Sequence, residues 1–349
     1  MKMKNIFIAT NNGDIGGGEV MLLNIARALR ALGKSVTIVG PTSPNELIEA
    51  AKDEGFSTVI LPAHNRKSYV AQLRLWRYRN RQNLLWCNGL LPAFATAGLG
   101  PRIVHLHQLP QGLQKFAAKI SSRGALGTLV PSEFMSEKIS GTIVLPNWVS
   151  EVSITPMSHD RDPQNIAVGF LGRVSEIKGT DLLAQAIYHL NQRQNDFRFK
   201  LVIGGEARFV SDGTQDRVTD SLEKLEDNLV TLGWIEPADF FAQVDCVAMP
   251  SQWDEPFGLV AAEAMSAKVP LLVTRSGALP SIVGEEYPWI VERGDASNIE
   301  WGLLDLAQDL TSSSNRLQKI VTDNYWRWYE NFSPEAGKNG VKKVLEQLV

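Results

Sequence analysis

Short apolar runs alternate with helix-length segments along almost the whole chain, in two series separated by one aperiodic break. In the first series NIFIAT (5–10), SVTIVG (35–40), STVILP (57–62), NLLWCN (83–88), RIVHLH (102–107) and ALGTLVPS (125–132) read as strands. Helices are predicted at about 19–33, ending at Gly33, and at about 44–54 and 67–82. The break is EVSITPMSHDRDPQN (151–165), polar and without period. A second series follows: NIAVGFLG (165–172), a helix from Thr180 to about Gln194, FKLVIGG (199–205), LVTLGWI (229–235), CVAMPS (246–251), PLLVTRSG (270–277) and PWIVERG (288–294), with helices after Ser297. Strands joined through helices form parallel sheets covered on both faces. The chain has 349 residues, more than one core accommodates. The expected class is α/β with two Rossmann-like parallel-sheet domains. The expected boundaries are 1–150, a linker at 151–164 and 165–332, with a final helix at about 333–349 returning to the first domain. Ligands of such sheets bind beyond the carboxyl ends of the strands.

Composition narrows the functional classes. Hydrophobic residues make up 44% and charged residues 21%, as in ordinary globular proteins. The apolar run at the N-terminus is too short for a secretory signal, and GLLPAFATAGLG (89–100) is too short and too rich in Gly and Pro to span a bilayer. Cys87 and Cys246 are far apart and each adjoins an apolar run, so they read as reduced, buried thiols rather than a disulfide or metal framework. A cytoplasmic location is expected, or one peripheral to the inner face of a membrane.

Three clusters carry the chemistry. GDIGGGEV (13–20) joins the first strand to the first helix, where glycines let backbone amides face an anion; a tight turn explains it equally well. It is not a GxGxxG fingerprint, and the second strand ends Val39-Gly40-Pro41 without an acid for a ribose, which argues against a dehydrogenase. In GFLGRVSEIKGTDLLAQAI (169–187) a strand ends at Gly172, and Arg173 and Lys178 precede a helix. Two cations there suit a diphosphate, Arg as a fork and Lys as a point charge, although either alone reads as a surface charge. In DEPFGLVAAEAM (254–265) Glu255 stands before a helix and Glu263 inside it, about two turns along, at a position that is either solvated or ligand-binding. His105 and His107 share one face of a strand end, and His107 is the better placed to reach a site. No Ser/His/Asp or Cys/His arrangement is evident. The Asp160-Arg161-Asp162 triplet follows no strand and is discounted as a metal site.

In order, GGGE, HLHQLP, LPNWVS, GRVSEIKGTDLL, LVIGGE, LGWI and PSQWDEPFGLVAAEAM resemble glycosyltransferase family 4, retaining enzymes of the GT-B fold, over nearly the whole chain. The resemblance implies two Rossmann-like domains facing each other across a cleft. It assigns the diphosphate of a nucleotide sugar to Arg173 and Lys178 beside Gly172, with the amides of Phe257, Gly258 and Leu259 completing the anion site. It assigns the ribose to Glu263, the donor sugar to Glu255 and the base to the main chain near Gly233, Trp234 and Ile235. His107 corresponds to the active-site histidine, and Gly17 and Gly18 to a turn that approaches donor phosphates or acceptor. The implied reaction uses a UDP- or GDP-sugar as substrate, needs no metal or other cofactor, and glycosylates a glycan, lipid-linked or small-molecule acceptor in cell-surface polysaccharide synthesis. An epimerase or hydrolase of the same fold, or a non-catalytic nucleotide-sugar-binding subunit, is the alternative. Asn147-Trp148 departs from the usual Asn-Gly, which bears on the turn there.

Charge is uneven. The net value is −3, but from Gly55 to Ser132 ten Lys/Arg occur without one acid. On a helix over 66–82, Lys67, Arg74, Arg77 and Arg81 fall on one side, beside Tyr69, Leu73 and Trp76. This segment reads either as a solvated face or as a surface for anionic lipid or an anionic acceptor. The aromatics form no stacking platform, so nucleic acid is not an expected partner.

Overall fold

The computed structural model describes residues 5–154, 162–205 and 212–349. Asp160 and Arg161 of the acidic triplet, most of the second half of the expected linker and Glu206 of the LVIGGE motif lie outside them. The chain forms two units: Met1–Trp148 with Asn331–Val349, and Val149–Glu330.

The sheet of the first unit has seven strands, all parallel: β1 (Asn5–Ala9), β2 (Ser35–Pro41), β3 (Ser57–Leu61), β4 (Leu84–Asn88), β5 (Arg102–His105), β6 (Gly127–Val130) and β7 (Ile143–Val144). Their order is β3-β2-β1-β4-β5-β6-β7. Near-continuous apolar runs mark strands covered on both faces, and every residue of β4 is buried. The order reverses between β1 and β4, where Ala9 pairs with Cys87. Connections from β1 run one way along the sheet and those from β4 the other. With right-handed crossovers, their helices fall on opposite faces. On one face the helices Gly17–Ala31 and Pro334–Leu348 pack together; on the other, Arg66–Arg79 packs on Leu90–Ala95, which packs on Leu113–Ser121. The unusual Trp148 has a role here. Its indole is buried against Gly337 of the returning helix, where any side chain would strike the ring, and Asn24 Nδ2 donates to the Trp148 carbonyl at 2.9 Å.

The second unit repeats the scheme with six parallel strands: β8 (Asn165–Leu171), β9 (Arg198–Gly204), β10 (Leu229–Gly233), β11 (Cys246–Met249), β12 (Leu271–Thr274) and β13 (Ile290–Val291). The order is β10-β9-β8-β11-β12-β13, reversing between β8 and β11, where Val168 pairs with Cys246.

The basic segment differs from its sequence reading. Its helix is Arg66–Arg79, so Arg81 lies beyond it, and Arg77 does not share a solvated face. Arg77 is fully buried and donates to the carbonyls of Leu99 (2.9 Å), Asn80 (3.0 Å), Asn83 (2.8 Å) and Pro101 (2.8 Å). Arg74 donates to the Ala95 carbonyl at 3.1 Å. Arg102, also buried, donates to the carbonyls of Ala93, Ser121 and Arg123 at 3.0, 2.8 and 2.7 Å. Helical spacing places a guanidinium but does not say whether it meets water or carbonyl oxygens, and a planar fork of donors satisfies several carbonyls at once. Burial lowers the Arg77 pKa to about 10, which leaves it charged at neutral pH. Arg77→Leu leaves four carbonyls without that donor and is expected to cost about 3 kcal/mol or more, since each buried orphan costs about 1–3 kcal/mol. Urea denaturation measures the loss.

Candidate functional site

At the carboxyl ends of β8, β9 and β10 the backbone is stitched together by glycine amides. Gly172 donates to the Gly204 carbonyl at 2.8 Å and Gly205 to the Gly233 carbonyl at 2.6 Å. Past Gly172, Arg173 is exposed, and its guanidinium has no partner among the described residues. A short 3-10 turn, Glu176–Lys178, then delivers Lys178. Gly179 follows with φ 72°, at a spot where a Cβ would collide with the Pro250 carbonyl oxygen. This close approach, with the Gln252 amide donating to the Ile177 carbonyl at 2.9 Å, joins the β8 loop to the β11 loop.

The joint brings the predicted cation and carboxylate together. Lys178 Nζ lies 2.6 Å from Glu255 Oε1 and 5.2 Å from the Trp253 ring centroid. Ser251 Oγ donates to the same Glu255 oxygen at 2.6 Å, and the Ala278 amide donates to the Glu255 carbonyl at 2.8 Å. Glu255 is buried, whereas the Lys178 side chain keeps 29% of its surface exposed. A carboxylate taken from water needs such a charged partner and a hydroxyl donor. Ser251 was not singled out from sequence. Its only signal is its place as the first hydroxyl after β11.

The helix that follows, Leu259–Ser266, begins one residue beyond Gly258, whose φ is 110°, and no side chain caps it. The first amides of a helix lack intrahelical acceptors, and the macrodipole makes that end favourable to an anion. Phe257 turns inward and is buried. Glu263 stands one turn into the helix rather than two. Its half-buried carboxylate has no partner among the described residues, and burial pushes its pKa up to about 7. Gly233 ends β10 with φ 66°, Trp234 is exposed, and Ile235 packs toward Gly204.

The first unit carries its own constellation at the reversal between β1 and β4. Asn88, the last residue of β4, donates through Nδ2 to the Gly18 carbonyl at 3.0 Å, and its Oδ1 lies 2.7 Å from His107 Nε2. With the amide so oriented, His107 Nε2 is the donor, and the lone pair of Nδ1 points elsewhere. Nδ1 is buried and has no partner among the described residues. Burial lowers the His107 pKa to about 4, so the ring is neutral. A Cβ added at Gly18 would meet the His107 imidazole at ordinary van der Waals distance. His105 is fully buried and accepts from Trp86 Nε1 at 3.4 Å. Its ring packs 4.3 Å from that of His107, and its pKa lies well below the ordinary value, mainly through burial. It is the structural histidine of the pair. Glu19, buried beside Gly16 in the GGGE motif, accepts from Thr10 Oγ1 at 3.3 Å, and burial raises its pKa. Gly17 opens the first helix, and no side chain caps that end. Asn88 was missed in the sequence because one amide ending an apolar strand carries no periodic signal. Among the described residues no three His, Cys, Asp or Glu are placed to hold a metal ion.

Two family models cover most of the chain: Glycosyltransferase Family 4 matches residues 15–147, and Glycosyl transferases group 1 matches residues 165–309. A D-inositol 3-phosphate glycosyltransferase of Pseudarthrobacter chlorophenolicus is 30% identical over 332 residues, covering 77% of this chain and 76% of that one. This chain belongs to glycosyltransferase family 4. The lipopolysaccharide core biosynthesis mannosyltransferase LpsB of Rhizobium meliloti is 27% identical to this glycosyltransferase over 194 residues, 54% of this chain and 53% of that one. Several further curated relatives are matched over about half of their own length or less. The glycosyltransferase shares its fold with the Anabaena protein HepE in complex with UDP, at a TM-score of 0.82 and 18% identity, over 99% of this chain and 100% of that one. The two parallel-sheet units are those of the GT-B fold.

The unpaired Glu263 carboxyl gives a stability test. Its pKa in the folded glycosyltransferase exceeds the unfolded value, so its ionisation opposes folding. That cost appears as pH rises above the ordinary carboxyl pKa and is complete above about 7. Glu263→Gln is therefore expected to be more stable than the parent at pH 8.5 by about 3 kcal/mol, and at pH 5 by about 1 kcal/mol or less. Urea midpoints at the two pH values measure it.

Proposed function

We propose that this glycosyltransferase moves a sugar from a UDP- or GDP-sugar to a hydroxyl of a glycan, lipid-linked or small-molecule acceptor, with retention of configuration and without a metal ion. The observation that carries the reading is the Lys178–Glu255 pair beside an uncapped helix end after β11, with Arg173 on the same loop after β8 as Lys178 and Glu263 one turn into that helix. A nucleoside diphosphate leaving group develops negative charge as the bond to the anomeric carbon breaks. Two cations and the amides of Gly258 and Leu259 can meet that charge where other enzymes use a divalent ion. The half-buried Glu263 suits the ribose hydroxyls, because two donors there would relieve an ionised carboxylate that has none. Glu255 suits the donor sugar's hydroxyls and holds Lys178 in reach of the diphosphate. The main chain at Gly233, Trp234 and Ile235 would receive the base.

In the first unit, His107 Nδ1 would accept a hydrogen bond from a donor-sugar hydroxyl, held in that tautomer by Asn88. The Gly17–Gly18 turn would receive donor phosphate or acceptor. The acceptor oxygen attacks the anomeric carbon on the face the diphosphate leaves, and its proton passes to the departing phosphate oxygen. Solved structures of HepE with UDP and with UDP-glucose support a uridine donor. The likeness to LpsB supports a place in cell-surface polysaccharide synthesis.

A thermal-shift panel of UDP-, GDP-, ADP- and dTDP-sugars tests the donor, since a ligand of the native state raises its melting temperature. One UDP- or GDP-sugar should stand out. Lys178→Ala is expected to cut turnover by about 10³-fold while the fold is kept, the scale seen when one group stabilising transition-state charge is removed. Glu263→Gln should weaken nucleotide binding itself, and Glu255→Gln should mainly reduce transfer. Near-normal turnover by Lys178→Ala would sink the proposal, as would activity that disappears with a chelator and returns with a divalent ion.

A further inference from the structure

One face of the first unit's sheet is covered by a helical layer whose outer surface is both basic and apolar. The layer is Arg66–Arg79 against Leu90–Ala95 against Leu113–Ser121. It falls wholly within residues 55–132, which hold ten Lys/Arg and no acid; acid returns at Glu133. Three of the ten, Arg74, Arg77 and Arg102, serve carbonyl oxygens inside the layer. The other seven are exposed, and none has an acidic partner among the described residues.

Large apolar side chains stand among these cations. Leu113 is 91% exposed and Phe116 68% exposed, one turn apart on the same side of their helix. Leu75 and Tyr78 repeat the spacing on the first helix of the layer, and Phe94 is exposed on the short helix between. Of the nine residues in Leu113–Ser121, Ser121 alone is buried, so this helix lies on the unit rather than in it. It is nevertheless held firmly. Arg102 ties the Ala93 carbonyl of one helix to the Ser121 carbonyl of the next. The apolar pair is thus presented on a fixed platform, with Lys115 and Lys119 on the same helix and Arg123 just beyond it. A face that only met water would gain nothing from a leucine and a phenylalanine in full contact with it.

We propose that the outer surface of this layer docks on an anionic lipid bilayer, with Leu113 and Phe116 entering the boundary between headgroups and acyl chains and Lys115, Lys119 and Arg123 meeting lipid phosphates. The combination of an apolar stripe and flanking cations is what an interfacial helix requires, and the missing acids remove the repulsion that would oppose it. No helix among the described residues is long and apolar enough to cross a membrane, so the contact is with a surface. The weight of the contact moves from the 66–82 segment, where Arg77 is committed to carbonyls, to 113–123.

Vesicle binding needs neither donor nor acceptor, so its failure is separable from failure of the proposed reaction. The full chain is co-sedimented with phosphatidylcholine vesicles and with vesicles that also contain phosphatidylglycerol. Binding is expected to the mixed vesicles alone and to weaken as salt is raised. Leu113→Ser with Phe116→Ser, and separately Lys115→Gln with Lys119→Gln, should each lower partitioning about tenfold. All four positions are on the surface, so melting temperature and nucleotide-induced shift should be unchanged. Equal binding to neutral vesicles, no binding to either kind, or parental binding by both double variants would overturn the proposal. So would sedimentation velocity showing a parental dimer that the Leu113/Phe116 variant abolishes, since a second copy would then be what covers the face.

Discussion

The second unit depends on a clearance that only hydrogen fills. Gly179 lies against the Pro250 carbonyl so closely that the loop after β8 and the loop after β11 behave as one piece. The Lys178–Glu255 pair hangs from that joint. Lys178 is its neighbour on one side, and Ser251 and Glu255 follow Pro250 on the other. The joint sits where the strand order of the sheet reverses, which is where neighbouring loops diverge and leave a crevice. A cation and a carboxylate far apart in sequence thus meet at 2.6 Å because the two segments cannot separate.

The two reversal points use the same geometry for opposite electrostatic ends. In the second unit the polar groups are ionic, and charge meets charge. In the first, the Gly18–Asn88–His107 chain is neutral throughout, and burial keeps the imidazole unprotonated. Each arrangement leaves polar groups unmet among the described residues: the Glu263 carboxylate and Trp253 Nε1 in one unit, and His107 Nδ1 and His105 Nε2 in the other. Buried polar groups ordinarily find partners within the fold, so Glu263 and His107 Nδ1, each near a reversal of strand order, are candidates to receive a ligand.

How much of this was legible in the sequence follows from how each residue signals itself. The strands were readable because a strand covered on both faces must be apolar along its length, as LLWCN shows. Arg173, Lys178, Glu255 and Glu263 stand out as candidates in the sequence because each is charged beside the apolar strand or helix that follows or precedes it. Asn88 and Ser251 do not, because a single uncharged polar residue at a strand end looks like any loop residue until the opposing strand is in place. Arg77 misled in the other direction. Its helical position predicted solvent, but the carbonyls of Leu99 and Pro101, more than twenty residues away along the chain, closed around it together with the nearby Asn80 and Asn83. Glu263 was placed a turn too far along because the helix waits for Gly258 before it starts.

Trp148 against Gly337 has a consequence for how the protein is made. The first unit is interrupted in sequence: its last helix, Pro334–Leu348, emerges from the ribosome only after the whole second unit has been synthesised. Until then the surface that receives Gly337 and Gly340, made by the Trp148 indole and Leu145, lacks its cover. The N-terminal sheet must therefore exist on the translating ribosome with an apolar seam open, whereas the second unit, continuous from Val149 to Glu330, needs no later segment to complete it. A chain cut short before Pro334 would carry that seam permanently.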